Sequence, residues 1–227
     1  MADIPLWLIY AWFIGIPLGI LVWRWRLRVT FVNEFTGDSR FVVQGGALGW
    51  PRVHFKHPRL AAELQPGTVG VGKYRQAVWR CHVGNVRLAR RLRLRLSESG
   101  WQRSVASLVG RAVQSGDPAF DRDFVATGND DALIRAVLGH GAVKAAVSRV
   151  FSERLIQSCE LDPQGLSVRL KRSGLDAEEA KTILMRVVAL AEALDAAVAV
   201  KPVGRQSEGE LPSAAASSGS PVAVRSE

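Results

Sequence analysis

From Ile4 to Trp23 the chain carries no charged residue, and the run stops abruptly at Arg24, Arg26 and Arg28. A helix rises about 1.5 Å per residue, so this run would extend roughly 30 Å, the thickness of a bilayer's hydrocarbon core. The pattern predicts a single transmembrane helix. The flanks argue against a cleaved signal peptide, because Met1-Ala2-Asp3 holds no Lys or Arg and the Arg-Trp-Arg-Leu-Arg after Trp23 resembles no cleavage site. Cationic flanks stay in the cytoplasm, so the N-terminus is expected outside and everything after Arg24 inside. Trp7 at one end, and Trp23 and Trp25 at the other, suit the two membrane interfaces, with Arg24, Arg26 and Arg28 beside the inner one. Pro17 removes a backbone donor and predicts a mild kink. Gly15 and Gly19 have the small-xxx-small spacing that lets membrane helices approach closely, which would suit a homodimer. Two incidental glycines are the plainer explanation.

After the anchor the periodicity changes. Leu27 to Phe35 alternates in part and is rich in β-formers, so it reads as a strand, with Arg40 to Gln44 as its hairpin partner across Thr36-Gly37-Asp38-Ser39. Arg52 to Phe55 suits a short strand. Pro58 could open a helical turn through Leu64. Gln76 to Val83 alternates weakly, and Gly84-Asn85 has turn chemistry. Val86 to Leu96 reads as the most regular strand: Leu92, Leu94 and Leu96 share one face, and Arg91, Arg93 and Arg95 the other. One buried face is what an antiparallel sheet produces. Arg103 to Gln114 is ambiguous between strand and short helix.

Helical spacing dominates the second half. Asn129 or Asp130 can cap a helix whose apolar stripe includes Leu133, Val137, Val143, Val147 and Phe151, broken near Gly139-His140-Gly141. Leu155–Leu161 and Leu166–Lys171 bracket Asp162-Pro163-Gln164-Gly165 and predict a hairpin. Asp176 with Glu179 forms a capping box for a last helix. Its apolar positions Ile183, Leu184, Val187, Val188, Ala191 and Leu194 need a sheet to cover. The expected class is α+β: an N-terminal single transmembrane helix, then a mainly antiparallel sheet with two or three covering helices in the C-terminal half. The expected division is an anchor over 1–26, a cytoplasmic domain over 27–200 with a sub-boundary near 115 left open, and a disordered tail over 201–227, rich in Ser, Ala and Pro.

Apolar residues make up 48% of the chain, so the middle is expected to fold rather than stay disordered. The net charge of +9 points to an acidic neighbour, with the anionic leaflet of a bacterial inner membrane the nearest. Arg87, Arg90, Arg91, Arg93 and Arg95 are the candidate contacts for lipid headgroups or an acidic protein partner. A solvated sheet face is the plainer reading of these arginines. Nucleic acid is disfavoured, because the stretch adds no aromatic side chains for bases to stack on. Cys81 and Cys159 fit no zinc spacing, and reduced thiols agree with a cytoplasmic domain.

The stretch Gly116-Asp117-Pro118-Ala119-Phe120-Asp121-Arg122-Asp123-Phe124-Val125, followed by a helix at Ala132-Leu133, resembles a GDPxFDxxFxV pattern. The pattern belongs to a family of uncharacterised bacterial membrane-anchored proteins of unknown function. There a turn and strand link a β-rich half to a helix, a hairpin and a final helix. The resemblance covers roughly Gly67 to Ala197. It implies a structural motif of Gly116, Asp117, Pro118, Phe120, Asp121 and Phe124, and transfers no catalytic or binding residue.

Other chemistry is thinly represented. Asp117, Asp121 and Asp123 could hold a hard cation, but their spacing is not that of a calcium loop, and a turn with salt-bridged acids fits better. His54 and His57 form an HxxH pair, with His82 beside Cys81, yet no third ligand lies nearby and the spacing does not put both imidazoles on one strand face. There is no GxSxG elbow, and the glycines from Gly67 to Gly72 lack a strand-to-helix context, so no cofactor is expected. The sequence favours a non-enzymatic binding or scaffold module at the inner membrane face. The alternative is a metal-assisted hydrolase around Asp117, Asp121 and His140.

Overall fold

A computed structural model describes residues 11–45, 50–70, 73, 75–99, 112–152, 155–171 and 174–199. The fold is α+β, built on one antiparallel sheet of eight strands. The strands are β1 (Phe41–Gln44), β2 (Arg52–Lys56), β3 (Ala61–Val69), β4 (Gln76–Gly84), β5 (Leu94–Glu98), β6 (Phe124–Gly128), β7 (Ile156–Asp162) and β8 (Gly165–Leu170), in the order β1-β2-β3-β4-β8-β7-β5-β6. The α-helices are α1 (Ile16–Thr36), α2 (Pro118–Asp123), α3 (Asp131–Gly139), α4 (Gly141–Phe151) and α5 (Ala177–Ala199). A π-helical turn, Ala11–Gly15, precedes α1.

Alternation along the strands divides the sheet into two faces. Val53, Leu64, Trp79, Cys81, Val83, Val168, Cys159, Leu161, Leu94 and Leu96 point to the buried side, where they meet α3, α4 and α5 in one continuous core. Ile183, Leu184, Val187, Val188, Ala191 and Leu194 of α5 are buried there, as their spacing predicts. The Asp176 capping box is formed: Glu179 N donates to Asp176 Oδ1 at 2.7 Å, and Asp176 N donates to Glu179 Oε2 at 3.3 Å. Asp130 caps α3 by accepting from Leu133 N at 2.9 Å, and the helix pair breaks at His140. The β7–β8 hairpin also forms where expected.

Three local readings are corrected. Leu27 to Phe35 is not a strand, because α1 runs unbroken to Thr36. Once a helix is nucleated, each further residue adds a hydrogen bond at little cost, and Phe31 and Phe35 at i and i+4 supply a packed face. The first hairpin is therefore β1–β2. Pro58 to Leu64 is not a helical turn. It leads into β3, where Ala62 and Leu64 face the core between β2 and β4. Val86 to Leu96 is not one strand: a 3₁₀ turn over Leu88–Arg90 precedes β5. The alternation from Arg91 to Leu96 is nonetheless real, with Leu92, Leu94 and Leu96 buried and Arg91, Arg93 and Arg95 exposed.

Among the described residues, no helix is long and apolar enough to cross a membrane. The expected span starts at Ile4, and its part up to Tyr10, with Trp7, lies outside them. So do the tail over 201–227 and most of Arg103 to Gln114. Gly15 and Gly19 would accept a Cβ with nothing within 4 Å.

Gly165 ends the β7–β8 turn at φ +141°, and an added Cβ would lie 2.3 Å from the Val83 carbonyl oxygen. Gly165→Ala is expected to cost about 2–4 kcal/mol through strain and clash together. Urea unfolding of the full chain in mild detergent would show it as a lower midpoint at unchanged slope.

Candidate functional site

The arginines singled out by sequence fall into two groups. Arg87, Arg90 and Arg91 surround the 3₁₀ turn and, with Asn85, Val86 and Val198, line an open depression of about 710 Å³. Asn85 reverses the chain after β4 with φ +65°, a conformation asparagine tolerates. Val86, Leu88, Ala89 and Leu92 are buried, so the polar positions between them must face water. The side chains of these three arginines make no hydrogen bond or ion pair among the described residues.

Asp195, near the end of α5, fixes this turn from outside. Its Oδ1 accepts from Arg87 N at 2.7 Å and from Leu88 N at 3.3 Å. The carboxylate thus caps the first N–H groups of a turn distant in sequence. Sequence reasoning missed this residue, because nothing along α5 marks Asp195 as different from any exposed acid.

The other group stands apart. Arg95 sits on the sheet face away from the helices, with its Nε 3.4 Å from Glu160 Oε1. Arg93 is exposed, and its backbone N donates to Asn129 Oδ1 at 2.7 Å. The five arginines are therefore not one surface.

The end of the domain on which the turn lies is fixed by β4. Going back along α1 from Phe35 to Arg28, the partners move from Phe41 to Trp79 and then to Trp50. Trp50 in turn borders a cleft with Gly67, Thr68 and Ala77, close to the end of the β3–β4 hairpin at Val69 and Gln76. That hairpin end lies toward the apolar half of α1. The arginine turn follows Gly84, at the other end of β4. Helix α5 reaches the turn from the β1 side of the sheet: Lys181 Nζ lies 5.4 Å from the Phe35 ring centre, and Asp195, about 20 Å further along the helix, holds the arginine turn.

The motif from Gly116 to Phe124 is structural in this fold. Gly116 has φ +83°, Pro118 opens α2, and Asp117 caps it by accepting from Ala119 N and Phe120 N. Lys144 Nζ donates to Asp117 Oδ2 at 2.8 Å. Asp121 Oδ1 accepts from Ser115 N at 2.8 Å. The Phe120 and Phe124 rings meet at a tilt, 4.8 Å apart, and Phe124 reaches Phe151 of α4 at 5.3 Å. The acids that might have held a cation are thus engaged in capping and pairing.

His57 Nδ1 accepts from Leu60 N at 3.1 Å, and its Nε2 lies 3.1 Å from Glu192 Oε1. His54 lies instead on the open sheet face, opposite Glu63, which is in turn opposite His82. Among the described residues, no group of three His, Cys, Asp or Glu is arranged to hold a metal ion. Cys81 and Cys159 are fully buried, and burial pushes the Cys159 thiol up to about 12 and Cys81 higher still. Both stay protonated and unreactive.

No family model, no curated protein and no solved structure matches the chain. The resemblance carried by Gly116 to Val125 therefore gains no support beyond its own residues.

Two outcomes follow from these contacts. Asp195→Ala is expected to destabilise the chain by about 0.5–2 kcal/mol, the usual effect of losing a cap, read from thermal unfolding. The hydrogen bond from Lys144, followed by those from Phe120 N and Ala119 N, holds the Asp117 carboxyl below the ordinary carboxylate range. Its contribution is complete above the unfolded value of about 3.9 and is lost as pH falls through the lowered folded value. Asp117→Asn keeps the cap but removes the charge. The melting temperature of the variant is expected to vary less with pH below about 4 than that of the unchanged chain.

Proposed function

We propose that the chain is a single-pass membrane protein carrying a non-enzymatic binding module. The run from Ile4 to Trp23 anchors it in a bacterial inner membrane, with the N-terminus outside and the sheet domain in the cytoplasm. Support for the anchor comes from the described part of the run. Trp12, Ile14, Ile16, Leu18, Ile20, Leu21, Val22 and Trp23 are all exposed, on every side of the helix rather than along one stripe. A helix apolar all round is a buried helix or a membrane span, and nothing among the described residues covers this one.

The module's partner is an acidic segment of another protein, held by Arg87, Arg90 and Arg91. One observation carries this reading: the arginine turn lies at the end of β4 away from the anchor helix. Phe31, about 12 Å along α1 from Trp23, stacks on Trp79, and the turn follows Gly84, about 16 Å further along β4. Screening at physiological salt acts over about 8 Å, so the same leaflet would hardly be felt there. Three unpaired guanidinium groups around one depression suit carboxylates on a partner that approaches from the cytoplasm. Arg24 and Arg26, exposed and nearer the anchor, are the better candidates to meet headgroups, while Arg28 lies half-buried over Trp50.

A reporter that works only in the cytoplasm, fused after Glu227, is expected to be active. Activity from a periplasm-dependent reporter instead would reverse the proposed topology. The full chain in neutral nanodiscs should bind a fluorescent poly-glutamate peptide. Raising salt from about 50 to about 300 mM should weaken the complex, as expected of exposed charges. Arg87→Glu with Arg91→Glu should weaken it at least tenfold while Arg24→Glu leaves it unchanged. If the Arg24 change mattered and the other pair did not, the binding surface would lie at the membrane instead.

A further inference from the structure

The sheet face away from the helices holds a second set of unpaired cations, separate from the arginine turn. Arg80 on β4 and Arg169 on β8 are direct partners in the antiparallel ladder. β4 and β8 are also the two middle strands of the sheet. Directly opposed residues hold their Cβ atoms about 5 Å apart, and like charges in that position repel. Neither side chain makes a hydrogen bond or ion pair among the described residues, and the Arg169 Nε is buried without a partner. A buried donor in that state is costly and calls for an explanation.

The surroundings supply donors rather than acids. Gln65 lies opposite Arg80 from β3, and Ser158 lies opposite Arg169 from β7. His82 and Ser167 form the next pair of the same ladder. Of the acids on this face, Glu160 is with Arg95, and Glu63, opposite His82 in the next row, has Oε1 3.9 Å from Arg52 and buried without a hydrogen-bond partner. Nothing described neutralises the central pair.

We propose that Arg80 and Arg169 form a binding site for a phosphate-sized oxyanion. Two planar guanidinium groups can give paired N–H bonds to different oxygens of one tetrahedral ion. A dianion between them cancels their repulsion and supplies the acceptor that Arg169 Nε lacks. Neither Glu63 nor Glu160 makes a hydrogen bond or ion pair with Arg80 or Arg169.

The test is calorimetric titration of the full chain in detergent with inorganic phosphate and with pyrophosphate, at constant ionic strength, alongside Arg80→Gln, Arg169→Gln and Arg91→Gln. Saturable binding is expected, weakened at least tenfold by either of the first two changes and unaffected by the third. A non-saturating response that chloride reproduces would mean an ionic-strength effect only and would overturn the site. Equal binding by all variants would overturn it too. Thermal unfolding without phosphate separates binding from folding. Relief of repulsion predicts that Arg80→Gln and Arg169→Gln melt no lower than the unchanged chain, and a marked fall would show the pair to be structural instead.

Discussion

The packing of two phenylalanines holds this structure together. Phe31 and Phe35, one helical turn apart, are the only buried residues of α1. Phe31 stacks on Trp79 at 5.8 Å, and Phe35 meets Phe41 edge-on at 5.4 Å. Phe41 passes the contact to Phe55 on β2, and Lys181 of α5 sits over Phe35. One aromatic cluster thus joins α1, the edge of the sheet and the start of the covering helix. Each buried ring removes a large apolar area from water and adds a preferred edge or offset contact. Without the two phenylalanines, α1 would have no face to present to the domain, because every other apolar residue described on it is at least partly exposed.

From that joint the rest of the chain follows in two layers. The strands turn Trp79, Cys81 and Val83 inward, and α5 packs against β3, β4 and α4. Helix α5 starts beside Phe35 and ends at the arginine turn, so it ties the β1 side of the sheet to the segment that follows β4. Asp195 completes the link with a carboxylate, while apolar contacts make the rest. The unpaired positive charge collects at places the core does not reach: the turn after β4 and the middle of the open sheet face.

Much of the second half could be read from the chain. The capping box at Asp176, the cap at Asp130, the break at His140 and the turn at Gly165 are local signals, each formed within a few residues. The first half was less legible for the opposite reason. Whether Leu27 to Phe35 becomes helix or strand depends on the helix preceding it and on Trp79, distant in sequence. Ala61 to Leu64 becomes part of a strand because β2 and β4 are there to pair with it. The arginine turn was found by its charge, but its shape was not, because the Leu/Arg alternation continues across the boundary between turn and strand. Asp195 and the Arg80–Arg169 pair exist only through register and tertiary approach, for which a single sequence holds no sign.

The unbroken course of α1 has a mechanical consequence. It passes from the apolar half through Arg24, Arg26 and Arg28 to Phe35 with no glycine or proline after Gly19 to bend it. The domain is therefore mounted on a stiff rod instead of hanging from a loose tether. If α1 anchors the chain in a membrane as proposed, and its apolar half tilts to match a thinner or thicker bilayer, the sheet must swing by the same angle, and the arginine turn at its far end travels furthest. Lipid thickness would then set how far from the membrane, and in which direction, that turn is presented.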